Sequence, residues 1–271
     1  MGRRAISPSI AIVVTFFGRA PFWMPAFLLS CRHNPDVQWI VYTDVDFDAG
    51  RTQNVAFKPM TLAEMNARAS DIFQAKTDIR GRKLADLKIA YGALFAEDLE
   101  RYDFWSPSDL DIIWGQIRRF MTDELLSEYD ILSSRRKRLS GHFTLYRNTP
   151  RINRTFELIP DISARMATLN YEHLDETELT RSLQSELSHS PRSAPRIFWR
   201  EEWVPSSSYQ KSLSDEPGDR LWWRDGRTFR PTGAEVMYIH FHKLKGTMHT
   251  INFTVEDSPR SFSIDRRGML A

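Results

Sequence analysis

A chain of 271 residues, 41% hydrophobic and 27% charged, is long enough for a sizeable core and has the ordinary composition of a folded globular protein, which excludes a disordered chain. A formal net charge of only +2 carries no overall attraction to nucleic acid, so no nucleic-acid partner is expected. One cysteine, Cys31, can neither close an internal disulfide nor make a zinc spacing, and this fits a reducing, cytoplasmic compartment.

The first segment, "MGRRAISPSIAIVVTFFG", has the look of a leader. Its apolar core from Ile10 to Phe17 is only strand-length and lacks a small-residue cleavage pattern, so it reads as the first buried strand. No apolar run approaches the roughly 20 residues of a membrane helix; contact with a membrane, at its inner, cytoplasmic face, is expected to be peripheral. "PFWMPAFLLSCRHN" predicts a helix stopped by "NPD". "VQWIVYTD" is a second strand ending on Asp44, and "NVAFKPM" a short third one. "TLAEMNARASDIF" predicts a helix opened by a capping box, Thr61 with Glu64. "KLADLKIAYGALFAEDLE" reads as helix, "YDFWSPSDLDIIWG" as strand, "GQIRRFMTDELLSE" as helix and "YDILSS" as strand. This alternation predicts an α/β fold with a Rossmann-type, mostly parallel central sheet and helices on both faces, and ligands at the carboxyl ends of the strands. The basic cluster "SSRRKR" at 133–138 is either a solvated loop or a patch for anionic lipid or phosphate.

After residue 140 the texture changes. "GHFTLYRN" reads as a strand; "TPRINRTFELIPDISARMATL" and "LDETELTRSLQSEL" read as helices. Aromatics then dominate, and "RDGR" is a hairpin turn signal. Without internal repeats or a low-complexity linker, residues 1–271 read as one domain with an elaborated, aromatic-rich C-terminal third.

Three features carry candidate chemistry. In an extended "SDLDII", Leu110 and Ile112 point into the core and Asp109 and Asp111 face the other way together. Two adjacent carboxylates repel unless a cation or a shared proton intervenes, and a hard divalent ion held jointly with substrate phosphates answers that need. The plain alternative is a strand end whose aspartates reach water or cap the next helix. In "EVMYIHFHKLKG", Met237, Ile239 and Phe241 form an apolar face, while Tyr238, His240 and His242 form the other. Imidazole with carboxylates suits Mn2+, with Mg2+ as the second choice, and Lys243 and Lys245 offer point charges to phosphate. In "GRKLADLKIAYG", Lys83 and Asp86 form either an ordinary surface pair at i, i+3 or a pair that faces a nucleotide.

The ordered set "VVTFFG", "VYTD", "KLADLKIAYG", "DFWSPSDLDIIWG", "SGHFTLYRN", "HLDE" and "YIHFHKLKG" resembles bacterial GT-A-type glycosyltransferases, in particular small polysaccharide-biosynthesis enzymes with a "DLD" motif and a late "HF" strand. The resemblance spans nearly the whole chain. It implies a GT-A-like catalytic domain with a nucleotide-sugar half at 1–140 and an acceptor half at 141–271. It implies that Asp109 lies near ribose and metal, that Asp111 binds the metal and that His240 is the third protein ligand. Thr15, Phe16, Phe17, Tyr42 and Asp44 would line the nucleotide, with Lys83 and Asp86 supporting the donor. Ser140, Gly141 and His142 match the strand under the donor sugar, and Asp175 and Glu176 match an acidic pair near the reaction centre. The implied donor is a nucleotide-sugar, by analogy a UDP-sugar, and the acceptor a glycan or lipid-linked saccharide. The chain departs from families whose late motif adds a glycine and then Lys-Pro, because "HFHKLKG" has no such proline; whether Lys243 or Lys245 meets phosphate therefore stays open.

An inverting reaction needs a base for the acceptor hydroxyl, and Asp175 or Glu176 is the candidate; the plain alternative has both as acids at a helix start, stabilised by its dipole. Trp199, Trp203, Trp222 and Trp223 are candidates for an acceptor platform or for ordinary packing. Two rival readings remain. One is a D-x-D phosphohydrolase, disfavoured by the late position of the pair. The other is a non-enzymatic carbohydrate-binding protein on a transferase fold.

Overall fold

The computed structural model describes residues 7–47, 52–205, 210 and 217–271. Residues 1–6, the basic start of the leader-like segment, lie outside the described residues. In chain order the strands are β1 (Ile10–Phe16), β2 (Val37–Thr43), β3 (Val55–Pro59), β4 (Phe104–Ser108) and β5 (Ile112–Trp114). Next come β6 (Ile131–Ser133), β7 (Thr144–Arg147), β8 (Ile197–Phe198), β9 (Leu221–Arg224) and β10 (Arg227–Phe229). The last are β11 (Glu235–Val236), β12 (Tyr238–His240), β13 (Thr250–Ile251), β14 (Ser261–Ile264) and β15 (Gly268–Leu270). The expected α/β class holds: a large sheet accompanied by helices.

The chain divides into two compact units interleaved along the sequence. The first comprises Met1–Val13, Met60–Ser108 and Thr122–Glu201. Its strands run in the order β1-β4-β7-β6-β8, with β7 antiparallel to β4 and β6, and β8 parallel to β6. The helix Leu62–Phe73 opens with the expected capping box: Glu64 N–H donates to the Thr61 hydroxyl (3.2 Å) and Thr61 N–H to the Glu64 carboxylate (2.6 Å). Trp105 stacks on Tyr146 at 4.5 Å and donates its indole N–H to Asn153 at 2.7 Å, so a large aromatic is buried with its polar atom satisfied.

Several expected helices in this unit are shorter or tighter than their sequence predicts. Residues 81–99 form a 3-10 stretch, Gly81–Ala90, and two single turns, Tyr91–Leu94 and Ala96–Leu99. The stretch 150–168 breaks into Pro150–Asn153, a 3-10 turn Thr155–Leu158 and Ile162–Met166. "LDETE" adopts a π-helical turn, Leu174–Glu178, before the regular helix Leu179–His189. The basic cluster at 133–138 is mostly a turn: Arg136, Lys137 and Arg138 are exposed, whereas Arg135 is buried.

The second unit comprises Val14–Pro59, Asp109–Met121 and Glu202–Ala271. It holds the order β3-β2-β1, with β2 and β3 parallel, and a second, six-stranded sheet in the order β11-β10-β9-β14-β15-β13. The predicted "RDGR" hairpin joins β9 to β10, and its central residues Asp225 and Gly226 both have positive φ (46° and 81°), as the tight turn requires. Its core gathers Leu29, Ile113, Trp223, Ile239, Phe241 and Phe262. Trp223 stacks on Phe262 and donates to the Trp114 carbonyl at 3.1 Å, so it serves packing and not an acceptor platform.

Candidate metal and donor site

The segment "SPSDLDIIW" is not one continuous strand. β4 ends at Ser108, residues 109–111 form a bend, and β5 resumes at Ile112. The face-alternation expected for Asp109 and Asp111 is therefore replaced by a bend whose ends are sheet-anchored. Leu110 is buried, and its carbonyl accepts a hydrogen bond from the Trp23 indole at 3.1 Å. Just after β5, buried Asn34 accepts from Ile117 N–H and donates to the Gly115 carbonyl, both at 2.8 Å. One side chain thus fixes the exit of the strand that carries the bend.

The late histidine strand is shorter than its alternation predicts. β11 and β12 are separate, and His242 lies beyond the end of β12. β12 pairs antiparallel with β5 in the register His240↔Ile112, Ile239↔Ile113 and Tyr238↔Trp114. This register sets His240 beside the residue that follows Asp111, and Phe241 N–H donates to the Asp111 carbonyl at 3.0 Å. His240 Nε2 lies 3.3 Å from Asp111 Oδ1 and 3.6 Å from Asp109 Oδ2. Asp111 is 4% exposed and His240 8%, while Asp109 is part-exposed.

Donors shared by one Mn2+ or Mg2+ at about 2.1 Å each lie no more than about 4.2 Å apart. Both histidine–carboxylate separations meet that limit, and the three donor atoms all lie within 4.8 Å of one another. Two hard carboxylates and one imidazole are a donor set suited to Mn2+ or Mg2+. Lys245 completes the group, its Nζ 2.6 Å from Asp111 Oδ2. Burial works against the Asp111 charge, but His240 and Lys245 outweigh it and hold the carboxyl well below the usual range. Lys243 is exposed nearby in the chain and contributes, after burial and His240, to lowering the His242 pKa to about 4.

The other candidate residues of this unit lie at or just past the ends of β1 and β2. Thr15 and Phe16 end β1 and Phe17 follows it; all three are part-buried. Tyr42 is buried near the end of β2, and exposed Asp44 accepts a hydrogen bond from Gly18 N–H at 2.8 Å. The ends of β1 and β2 are thereby tied.

The first unit brings together the other predicted residues. Gly141 packs against the acidic pair so closely that a Cβ there would lie 2.0 Å from Asp175 Oδ2. Its N–H donates to Glu176 at 3.3 Å, and the Ser140 hydroxyl lies 3.1 Å from His142 Nε2. Asp175 is 5% exposed. Burial first, and then the Asp175 charge, pushes up the phenols of Tyr146 and Tyr171.

Lys83 and Asp86 are not a surface pair. They are 1% and 0% exposed and 3.1 Å apart. Asp86 accepts from the N–H groups of Glu172 (2.9 Å) and Leu174 (2.8 Å), on either side of His173, which has positive φ (56°). Lys83 donates to the Arg165 carbonyl at 3.0 Å. Their charges are spent on the turn that leads into Asp175, and i, i+3 spacing gave no sign of that burial. Sequence reading also missed Arg165, which pairs with Glu172 and Glu178; Arg138, from the basic cluster at 133–138, lies 3.7 Å from Glu176. Gln210, which donates to the His240 carbonyl, was likewise missed. An isolated arginine and a glutamine carry no motif by which to find them.

A family profile described as "Family of unknown function (DUF6625)" matches residues 12–270, so the chain belongs to that family. A search of the curated proteins finds no match. Among solved structures, the galactosyltransferase LgtC in complex with donor and acceptor sugar analogues is similar at 11% identity and a TM-score of 0.47, over 92% of this chain and all (100%) of that one. The apo form of mouse xyloside xylosyltransferase 1 is similar at 9% identity and a TM-score of 0.47, over 86% of this chain and 97% of that one. At TM-scores below 0.5, neither likeness bears on what this chain does. Among the described residues no helix is long and apolar enough to cross a membrane.

Proposed function

We propose that this chain is a metal-dependent glycosyltransferase with a GT-A-like catalytic domain. It moves a sugar from a nucleoside-diphosphate donor, a UDP-sugar in the first instance, to a glycan or lipid-linked saccharide acceptor in surface polysaccharide synthesis. The observation that carries this reading is the convergence of Asp109, Asp111 and His240, with Lys245 on the same carboxylate. The resemblance of the ordered motifs across the chain supports it.

Asp109, Asp111 and His240 would hold Mn2+ or Mg2+. Such an ion supplies Lewis-acid neutralisation of the charge that develops on a departing diphosphate. The lysines add preorganised positive charge for the phosphates. Thr15, Phe16, Phe17, Tyr42 and Asp44 take the nucleoside. Ser140, Gly141 and His142 run under the donor sugar, and Asp175 or Glu176 accepts the acceptor's proton if the reaction inverts. Lys83 and Asp86 act through the 172–174 turn and not by touching donor, because both charges are already engaged. The protein works at the cytoplasmic side, with peripheral membrane contact.

The test is a screen of nucleotide-sugars for nucleoside diphosphate release, with Mn2+, Mg2+ or a chelator. One donor is expected to be hydrolysed in a metal-dependent way that Asp111→Ala abolishes. Absence of metal-dependent release from every donor would overturn the reading. Phosphate release from simple phosphoesters, lost in Asp109→Asn, would favour a phosphohydrolase.

A further inference from the structure

Lys245 stands where a bound cation would compete with it. Asp111 has two carboxylate oxygens: Oδ1 faces His240 Nε2 at 3.3 Å, and Oδ2 faces Lys245 Nζ at 2.6 Å. The lysine is held at its base, since its N–H donates to the Phe241 carbonyl at 3.0 Å and Phe241 N–H donates to the Asp111 carbonyl at 3.0 Å. Its side chain is 47% exposed, so the ammonium reaches the buried carboxylate from solvent and is free to swing away. Desolvated Asp111 needs a counter-charge, and the lysine gives one without any ligand.

We propose that Lys245 is a tethered stand-in for the metal, and that metal and diphosphate bind as a coupled pair because the lysine must change partner. The inference rests on the metal-and-nucleotide reading above. A divalent ion among Asp109, Asp111 and His240 shares Asp111 with the ammonium, and like charges at such range repel. The lysine therefore weakens metal binding while no phosphate is present. A nucleoside diphosphate offers the ammonium a second anion. When the lysine moves to it, Asp111 is released to the ion, and each ligand raises the affinity for the other by the same factor. No covalent step is involved; one ammonium exchanges a carboxylate for a phosphate.

Lys245→Met separates this arrangement from a simple phosphate contact, because it moves two affinities in opposite directions. The Mn2+ affinity of the protein alone, from titration calorimetry, is expected to tighten about tenfold in Lys245→Met, the usual size of coupling between sites. The affinity for uridine diphosphate at saturating Mn2+ is expected to fall by about tenfold in the same variant. Lys245→Arg keeps the charge and is expected to stay near the parent for Mn2+ alone. Equal or weaker Mn2+ binding in Lys245→Met, or unchanged diphosphate binding, would overturn the exchange while leaving the metal site standing. Absence of Mn2+ binding in both parent and variant would instead remove the metal reading itself, and the inference with it. A Lys245→Met protein that had lost its fold would bind both ligands more weakly, and Lys245→Gln then provides the same comparison.

Discussion

Replacing Asp86 by alanine probes the buried charge that holds the turn before Asp175. Three donors converge on its carboxylate: Lys83 Nζ at 3.1 Å, Glu172 N–H at 2.9 Å and Leu174 N–H at 2.8 Å. Alanine strips all three. Removing one partner of a buried ion pair costs about 3–5 kcal/mol, and each orphaned buried donor about 1–3 kcal/mol. These contributions overlap, because groups in one network are not additive. The stranded ammonium also keeps the Arg165 carbonyl at 3.0 Å and the Glu172 carboxylate at 3.9 Å, which compensate part of the loss. The expected net loss is about 4 kcal/mol, a large share of a typical domain's stability. Lys83→Met also strands one charge of that pair but leaves both backbone bonds to Asp86 intact, and is expected to cost about 3 kcal/mol. Urea unfolding followed by far-UV circular dichroism measures both. A loss below about 1 kcal/mol in Asp86→Ala, or a larger loss in Lys83→Met, would refute the view that Asp86 is the hub of the turn.

Three further outcomes follow from the geometry. Gly141→Ala puts a methyl group 2.0 Å from Asp175 Oδ2, and is expected to cost about 1–3 kcal/mol by overpacking; an unchanged urea midpoint would mean that the acidic pair is not confined there. Asp111→Asn and His240→Ala are each expected to weaken Mn2+ binding at least about 100-fold, since disturbing a ligand's supporting bonds alone costs 10–100-fold; full affinity in either removes that residue from the site. His33 has its pKa lowered by burial and then by Arg32, with Asp225 opposing, and its ring packs edge-on against Trp223. As the pH falls through the ordinary value of 6.5, the unfolded chain takes up this proton before the folded one, so stability falls with pH. His33→Asn is expected to flatten that part of the profile, and an identical slope of urea midpoint against pH in parent and variant would refute it.

Local signals in the chain read true where local physics decides them. The Thr61–Glu64 capping box forms because both partners sit within one helical turn. The "RDGR" turn forms because Asp225 and Gly226 tolerate positive φ. The apolar runs at 10–16 and 37–43 become strands because they are β-rich and bounded by turn residues. Asp109, Asp111 and His240 were also recognisable as residue types with cation chemistry.

Tertiary contacts decided the rest. Helical periodicity over 81–99 does not become one regular helix; Lys83, Asp86 and Lys88 are buried there in a 3-10 stretch, with the Lys83–Asp86 pair tied to the chain 80–90 residues away. The meeting of His240 with Asp111, more than 120 positions apart, is set by the antiparallel register of two three-residue strands. No spacing within either motif encodes that register, because it comes from packing both strands on a core shared with Leu29, Trp223 and Phe262. The sequence by itself therefore determined which residue types could offer ligands to a cation. Only the folded chain decided that three of them share one point, and that a lysine is already standing at it.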